Sequence, residues 1–248
     1  MSEALKLCRR RFLASVASLP VAGSAILPAV ARSYSGIKPP FSPFAGDPPK
    51  PVNPMGWYFL TPREVSMVEA IVDRFIPGDH LSPGGKDAGC AVFIDRQLAG
   101  SYGDSSRLYN AGPFMPGLPT QGYQGELTPS SRYRLGLARL ADYVRAHYAG
   151  KEFAQLTPEQ QDEVLAGLES GKVALTLMPG FSSRAFFELL LQNTMEGFFA
   201  DPLYGGNRGM ASWKMIGFPG ARYDYRDYVD KHNQPYPHGP VSIYGERG

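Results

Sequence analysis

Three segments of the chain open on one pattern: an apolar residue, then threonine, then proline, then an amphipathic run. They are Leu60-Thr-Pro-Arg-Glu64, Leu127-Thr-Pro-Ser-Ser131 and Leu156-Thr-Pro-Glu-Gln160. A threonine hydroxyl at the N-cap accepts a free amide of the first turn, and proline at the first helical position lacks only an N–H that would have no partner anyway. Glu64 and Gln160 follow their threonines by three residues and complete a capping box. Apolar spacings of three and four then predict amphipathic helices. The first uses Val65, Val68, Ile71, Val72 and Phe75 and stops before Pro77-Gly78; the second uses Leu135, Leu137, Leu140 and Val144; the third uses Val164, Leu165 and Leu168. A further helix near Ala88 to Leu98 carries Val92, Phe93 and Leu98.

After Pro179-Gly180, Ser182 or Ser183 caps a helix running through Phe186, Phe187, Leu189, Leu190, Leu191, Met195, Phe198 and Phe199. Three adjacent leucines cannot share one face, so this helix is predicted to sit at the centre of the core. Strand alternation and repeats of fixed period are not evident. The expectation is a mostly α chain: one helical domain over 58–228 with long irregular loops, preceded by a signal peptide (1–31) and a Pro-rich extended arm (32–57) and followed by a polar tail (229–248). The loop between Gly100 and Glu126 is rich in Gly, Pro and Tyr, a length that usually serves a function or faces a partner. The arm holds seven prolines between Ser35 and Gly56; it has polyproline II character and is either a slack linker, the favoured reading, or a strap lying across a neighbour.

The N-terminus changes the picture from globular domain to exported protein. Cys8-Arg-Arg-Arg-Phe-Leu13 precedes an apolar run from Ala14 to Val30, and Ala29-Val30-Ala31 supplies a small-x-small cleavage pattern at Ala29 and Ala31. Arg9 and Arg10, a spacer, then Phe12 and Leu13 resemble the core of a twin-arginine export signal. Pro20, Gly23 and Pro28 interrupt the run and argue against a retained anchor. The whole chain of 248 residues has a formal charge of +2. Its first 31 residues hold four basic side chains against Glu3, which leaves 21 basic and 22 acidic side chains and a net charge of −1 beyond them. No nucleic-acid partner is expected. Only Cys90 remains after the signal, too few cysteines for an intrachain disulfide, a haem attachment or an iron–sulfur ligand set. It reads as a small buried hydrophobe, with a bond to another chain in an oxidising compartment as the lesser alternative.

Catalytic signatures are missing from the sequence: no dinucleotide or phosphate loop, no nucleophile elbow, no paired zinc histidines. Gly205-Gly-Asn-Arg-Gly209 offers amides and Arg208 to an anion, but an ordinary structural turn is the favoured reading. Asp73, Asp79 and His80 form a small acid/base candidate without a nucleophile. His80, His147, His232 and His238 have no helical metal-ligand spacing, and no catalytic, cofactor-binding or metal residue is assigned. Asp201-Pro202 is expected to end a helix through a local backbone bond.

The densest chemistry lies from Phe198 to Tyr225, where 28 residues include five glycines, two prolines, three Arg or Lys and seven aromatics. Arg, Trp and Tyr are enriched at binding hot spots; Trp213 with Lys214, and Arg222, are either core or interface, and the glycines beside them favour interface, so Tyr204, Arg208, Trp213, Lys214, Phe218, Arg222 and Tyr223 are the candidate partner-interface residues. Within this stretch, Phe199-Ala-Asp-Pro-Leu-Tyr-Gly-Gly-Asn-Arg208 followed by Trp213-Lys-Met-Ile-Gly-Phe-Pro-Gly-Ala-Arg222 resembles the signature of the gluconate 2-dehydrogenase subunit 3 family. A looser likeness extends back through Phe75-Ile-Pro-Gly-Asp79 and Gly89-Cys-Ala-Val-Phe-Ile-Asp95 to the Leu60-Thr-Pro helix.

The resemblance implies a small subunit of a bacterial flavoprotein–cytochrome dehydrogenase complex. FAD and haem c are then expected in a large flavoprotein subunit and a cytochrome c subunit, with no cofactor in this chain. It also implies that this chain supplies the signal read by the twin-arginine export machinery, that the complex lies on the periplasmic side of the bacterial inner membrane, and that the substrate is gluconate or a related sugar. The alternatives are a stand-alone periplasmic enzyme using the Asp79–His80 region or the Gly205–Arg208 turn, or a periplasmic scaffold.

Overall fold

The computed structural model describes residues 50–108, 112–115, 117–222 and 224–248, and six α-helices lie among them. The signal-peptide residues Arg9, Arg10, Phe12, Leu13, Ala29 and Ala31, the arm up to residue 49, and Tyr223 lie outside the described residues. The three threonine-proline signals start helices as expected: α1 (Pro62–Phe75), α3 (Pro129–His147) and α4 (Pro158–Ser170). Each threonine hydroxyl accepts the amide three residues on, from Glu64, Ser131 and Gln160. In α1 and α4 the Glu64 and Gln160 side chains reach back to the Thr61 and Thr157 amides at 2.8 and 3.1 Å. The other helices are α2 (Cys90–Leu98), α5 (Ser183–Phe199), capped by the Ser182 hydroxyl, and the short α6 (Ala211–Ile216). Strand pairing among the described residues is limited to isolated bridges, Gly220 with Val241 and Val241 with Arg247. No helix among them is long and apolar enough to cross a membrane.

α5 is the hub, packing against every other helix. Its Phe186 and Leu190 are fully buried, with Phe187, Leu189 and Phe198 nearly so; each such side chain contributes roughly 1.5–3 kcal/mol by leaving water. The ring of Phe186 meets Tyr133 of α3 edge to face, and Phe187 meets Phe75 of α1 in the same way. Helix α3 can approach this closely because residue 136 is glycine: a Cβ there would run into the Phe186 ring. The exposed positions of α5 include Arg184, Glu188, Gln192 and Glu196, with Arg184 bound to Glu188 at 2.9 Å and Gln192 to Glu196 at 2.8 Å. Of the apolar residues expected inside, Leu191 and Phe199 are only half-buried and Met195 is exposed, because at the 3.6-residue period they fall on the side bearing Gln192, Glu188 and Arg184.

The Asp95–Arg96 pair, with no counterpart in the sequence reading, ties the chain entering α1 to α2. Asp95 is completely buried and accepts the amides of Tyr58, Phe59 and Leu60 at 2.9, 3.0 and 2.8 Å. Next to it Arg96, also buried and paired with Asp95, donates to the carbonyls of Asn53, Met55 and Gly56. Its guanidinium lies 3.9 Å from the centre of the Tyr58 ring. Val52 adds an amide bond to the Leu203 carbonyl at 2.9 Å. Residues 50–57 of the arm are therefore strapped to this chain's own domain, where the sequence favoured a slack linker.

Candidate functional site

The platform for the Phe198–Tyr225 stretch is the C-terminal end of α5. The last carbonyls of a helix have no partner within it, and here three side chains of the stretch supply one each. Ser212 Oγ donates to the Phe198 carbonyl at 2.5 Å, Trp213 Nε1 to Phe199 at 2.9 Å, and Asn207 Nδ2 to Ala200 at 2.9 Å. Asn207 also accepts the Ser212 amide at 3.0 Å. Trp213, 6% exposed, therefore belongs to the interior of this chain and acts as a cap on α5. The Phe199 carbonyl supplies the acceptor that a buried indole N–H needs.

The remaining candidates divide. Tyr204 and Phe218 stand 38% and 43% exposed, Lys214 and Arg208 are exposed, and Arg222 is half-buried. Phe218 rests edge-on against Trp213, with ring centres 5.1 Å apart. Beside it Met215 and Ile216 at the end of α6 are exposed as well, a pair that the sequence reading left out although both sit between two of its candidates. Arg222 turns inward: its Nη2 donates to the Gly239 carbonyl at 2.7 Å, and its guanidinium lies 5.2 Å from the Tyr236 ring centre.

The polar segment from 229 folds back onto this stretch rather than trailing from it. Val241 accepts the Ala221 amide at 2.7 Å and donates to Pro219 at 3.2 Å, and Gly248 closes onto Pro240 at 2.9 Å. Asp201 explains part of this. One of its oxygens accepts the Leu203 amide at 3.0 Å, the local bond expected of Asp-Pro, and the other accepts the amide of Ile243, 42 positions on, at 2.7 Å. Ile243 and Tyr244 are thereby brought beside the 201–204 turn with their side chains exposed. The signal for them was an Ile-Tyr pair within a polar segment.

The other candidates for chemistry are engaged in structure. In Gly205–Gly209, the amides of Gly205 and Arg208 donate to Pro202 and Ala88 at 2.9 and 3.1 Å, so two donors that would cradle an anion already hold the loop. Asp79 accepts the amides of Leu81 and Ser82 at 2.8 and 3.0 Å, and these bonds hold its carboxyl below the ordinary aspartate range. Asp73 faces the Lys86 amide instead, at 3.4 Å. His147 stacks on Tyr143 and its Nδ1 meets the Tyr143 carbonyl at 2.8 Å; His238 Nε2 meets the Tyr228 hydroxyl at 2.9 Å. No group of three or more His, Cys, Asp or Glu side chains among the described residues is placed to hold a metal ion. Cys90 is fully buried, and burial pushes its thiol pKa up to about 12, the inert state of a packed cysteine.

Residues 62–220 match the family model described as gluconate 2-dehydrogenase subunit 3. No curated protein and no solved structure matches the chain. The matched span begins at the first residue of α1, takes in all six helices and ends where the chain meets Val241. Most of the described domain is thus accounted for by one family pattern, and the chain belongs to the gluconate 2-dehydrogenase subunit 3 family.

Proposed function

We propose that this chain is the small, non-catalytic subunit of a membrane-associated, FAD-dependent dehydrogenase complex of the gluconate 2-dehydrogenase type, oxidising D-gluconate to 2-dehydro-D-gluconate or a related sugar or polyol. It escorts the large flavoprotein subunit through the twin-arginine export machinery and stabilises it afterwards. The flavoprotein carries FAD, a cytochrome c subunit carries haem c, and the assembly lies on the periplasmic side of the inner membrane, held there through the partner subunits.

The observation that carries this reading is the exposed apolar face formed by Met215, Ile216 and Phe218 within the family-matched span. Met215 and Ile216 stand at the end of a short helix whose Ser212 and Trp213 are bonded to the end of α5, and Phe218, just past that helix, rests on Trp213, so the face is tied to the core within this chain. A preorganised apolar patch with Lys214 among its neighbours in sequence has the composition of an interface core with a polar rim. The signal-like sequence around Arg9 and Arg10 supplies the reason for a separate small subunit: one chain with an export address brings out a folded, cofactor-loaded partner that has none.

Two arms of one fractionation experiment test it. Replacing Arg9 and Arg10 with lysine is expected to leave flavoprotein and dehydrogenase activity in the cytoplasm; normal export of the flavoprotein would sink the escort role. Ile216→Ser with Phe218→Ser is expected to release the flavoprotein on purification while the small subunit keeps its helical circular dichroism. Undiminished co-purification would remove this face as the contact.

A further inference from the structure

A second feature lies apart from that face, at the other loop-rich part of the domain. A cleft of about 750 Å³ opens between the loop after α2 and the first turns of α3. Arg132 of α3 lines it, with its guanidinium 4.4 Å from the ring centre of Tyr123. The Arg132 Nε is buried and meets no hydrogen-bond partner among the described residues. Its ionisable neighbours are Tyr102, Tyr123 and Tyr133, and burial holds Tyr102 and Tyr133 above the ordinary tyrosine value. Desolvation also depresses the pKa of Arg132. The carboxylate of this network, Glu196, is bonded to Asn193 at 2.9 Å, and no described carboxylate pairs with Arg132 itself; half-buried cations in structures are normally paired.

The cleft supplies what a paired anion would need. The Tyr123 ring covers one face of the guanidinium, and with Nε sealed from solvent the two Nη groups are the donors left for a ligand; a carboxylate matches such a pair with two parallel bonds. Arg107 adds a second positive charge to the lining. Leu108, Phe114 and Met115 also line the cleft while remaining exposed to solvent, so a ligand entering would find apolar surface beside the cation. Behind the cleft, the Tyr102 hydroxyl is held by Asn193 at 3.1 Å and Asn193 by Tyr133 at 3.0 Å, which fixes the wall.

We propose that this cleft binds a small amphipathic carboxylate, its carboxylate forked onto Arg132 and its apolar body against Leu108, Phe114 and Met115. The site is a property of this chain and stands whether or not the chain acts as an escort. A bound acid would tie the 101–108 and 123–127 loops to α3, coupling the order of these loops to the level of the ligand.

Isothermal titration of the full chain tests it with four probes: 4-phenylbutyrate, its neutral amide, gluconate and inorganic phosphate. Saturable binding of 4-phenylbutyrate at one site is expected, with the amide at least about tenfold weaker, and gluconate and phosphate weaker as well. Arg132→Gln is expected to abolish binding and Arg132→Lys to weaken it by losing the fork. Phe114→Asp, at the exposed mouth, is expected to weaken it by repulsion without touching Arg132, which keeps the test decisive if Arg132→Gln does not fold. The proposal is overturned by no saturation up to about 10 mM, by equal binding of the amide, gluconate or phosphate, or by unchanged affinity in the folded variants.

Discussion

Asp95 and Arg96 show how much a single residue pair governs here. Six backbone groups of residues 53–60 end on these two side chains, both of them buried. Removing one member strands the other as an unpaired charge and leaves three amides or three carbonyls without partners. Asp95→Ala is therefore expected to lower stability by about 3–5 kcal/mol. Trp57, packed against the core beside this clamp, reports on it: its emission should shift to the red at denaturant concentrations where the helical signal persists. A single transition at the wild-type midpoint would show that the clamp contributes nothing. At the same scale Trp213 illustrates how composition misleads. A tryptophan among glycines and arginines has the make-up of a hot spot, yet its indole N–H is an acceptor's partner inside the chain, and only the position of the Phe199 carbonyl decides that.

At the scale of elements, the start of α1 joins local and long-range order. Glu64 completes the capping box and also binds Arg134 of α3, whose guanidinium lies 3.9 Å from the Phe59 ring centre. Burial alone would raise the Glu64 carboxyl, but the bonds from Arg134 and from the Thr61 amide and hydroxyl bring it below the ordinary value of 4.5. The folded state thus holds this proton less tightly than the unfolded chain. The resulting stabilisation is complete above pH 4.5 and is lost as pH falls from there through the depressed folded value. Asp162, lowered by its bond to Arg74, acts in the same direction, so the Glu64 share must be read by difference. Glu64→Gln keeps a capping side chain but not the charge; it should cost about 1 kcal/mol at neutral pH and flatten the acid limb of urea midpoints measured from pH 6 to 3. An acid limb of wild-type steepness would exclude Glu64 as its source.

Across the whole molecule, the C-terminal segment determines the shape of the candidate interface. Pro240 to Gly248 pair with Pro219 and Ala221 and satisfy the second oxygen of Asp201 through Ile243. A Cβ on Gly248 would touch both Met210 and Lys214, so this segment also lies against the start of α6. Deleting residues 240–248 removes these bonds and uncovers Met210, a loss of about 1–3 kcal/mol. For a domain of this size that corresponds to a Tm lowered by roughly 2–10 °C, with helical circular dichroism retained and new protease cleavage near residues 218–222. An unchanged Tm and cleavage pattern would mean that the segment is only laid upon the domain.

By itself the sequence determined the helices whose signals are local: threonine caps with proline behind them, spacings of three and four, and the helix whose adjacent leucines required a central place. It also carried the family pattern, because the Phe199–Arg208 and Trp213–Arg222 runs are contiguous. Tertiary structure alone decided the roles of side chains whose partners lie far along the chain. Asp95 and Arg96 look like solvated charges on an amphipathic helix until residues 53–60 cross them; Asp201 looks like a local turn residue until Ile243 arrives; Arg132 is one of several basic residues on α3 until the tyrosines close around it. A charged or polar group takes its meaning from the group it meets, and that meeting is set by the packing of α5 against its neighbours. No spacing within the sequence encodes it.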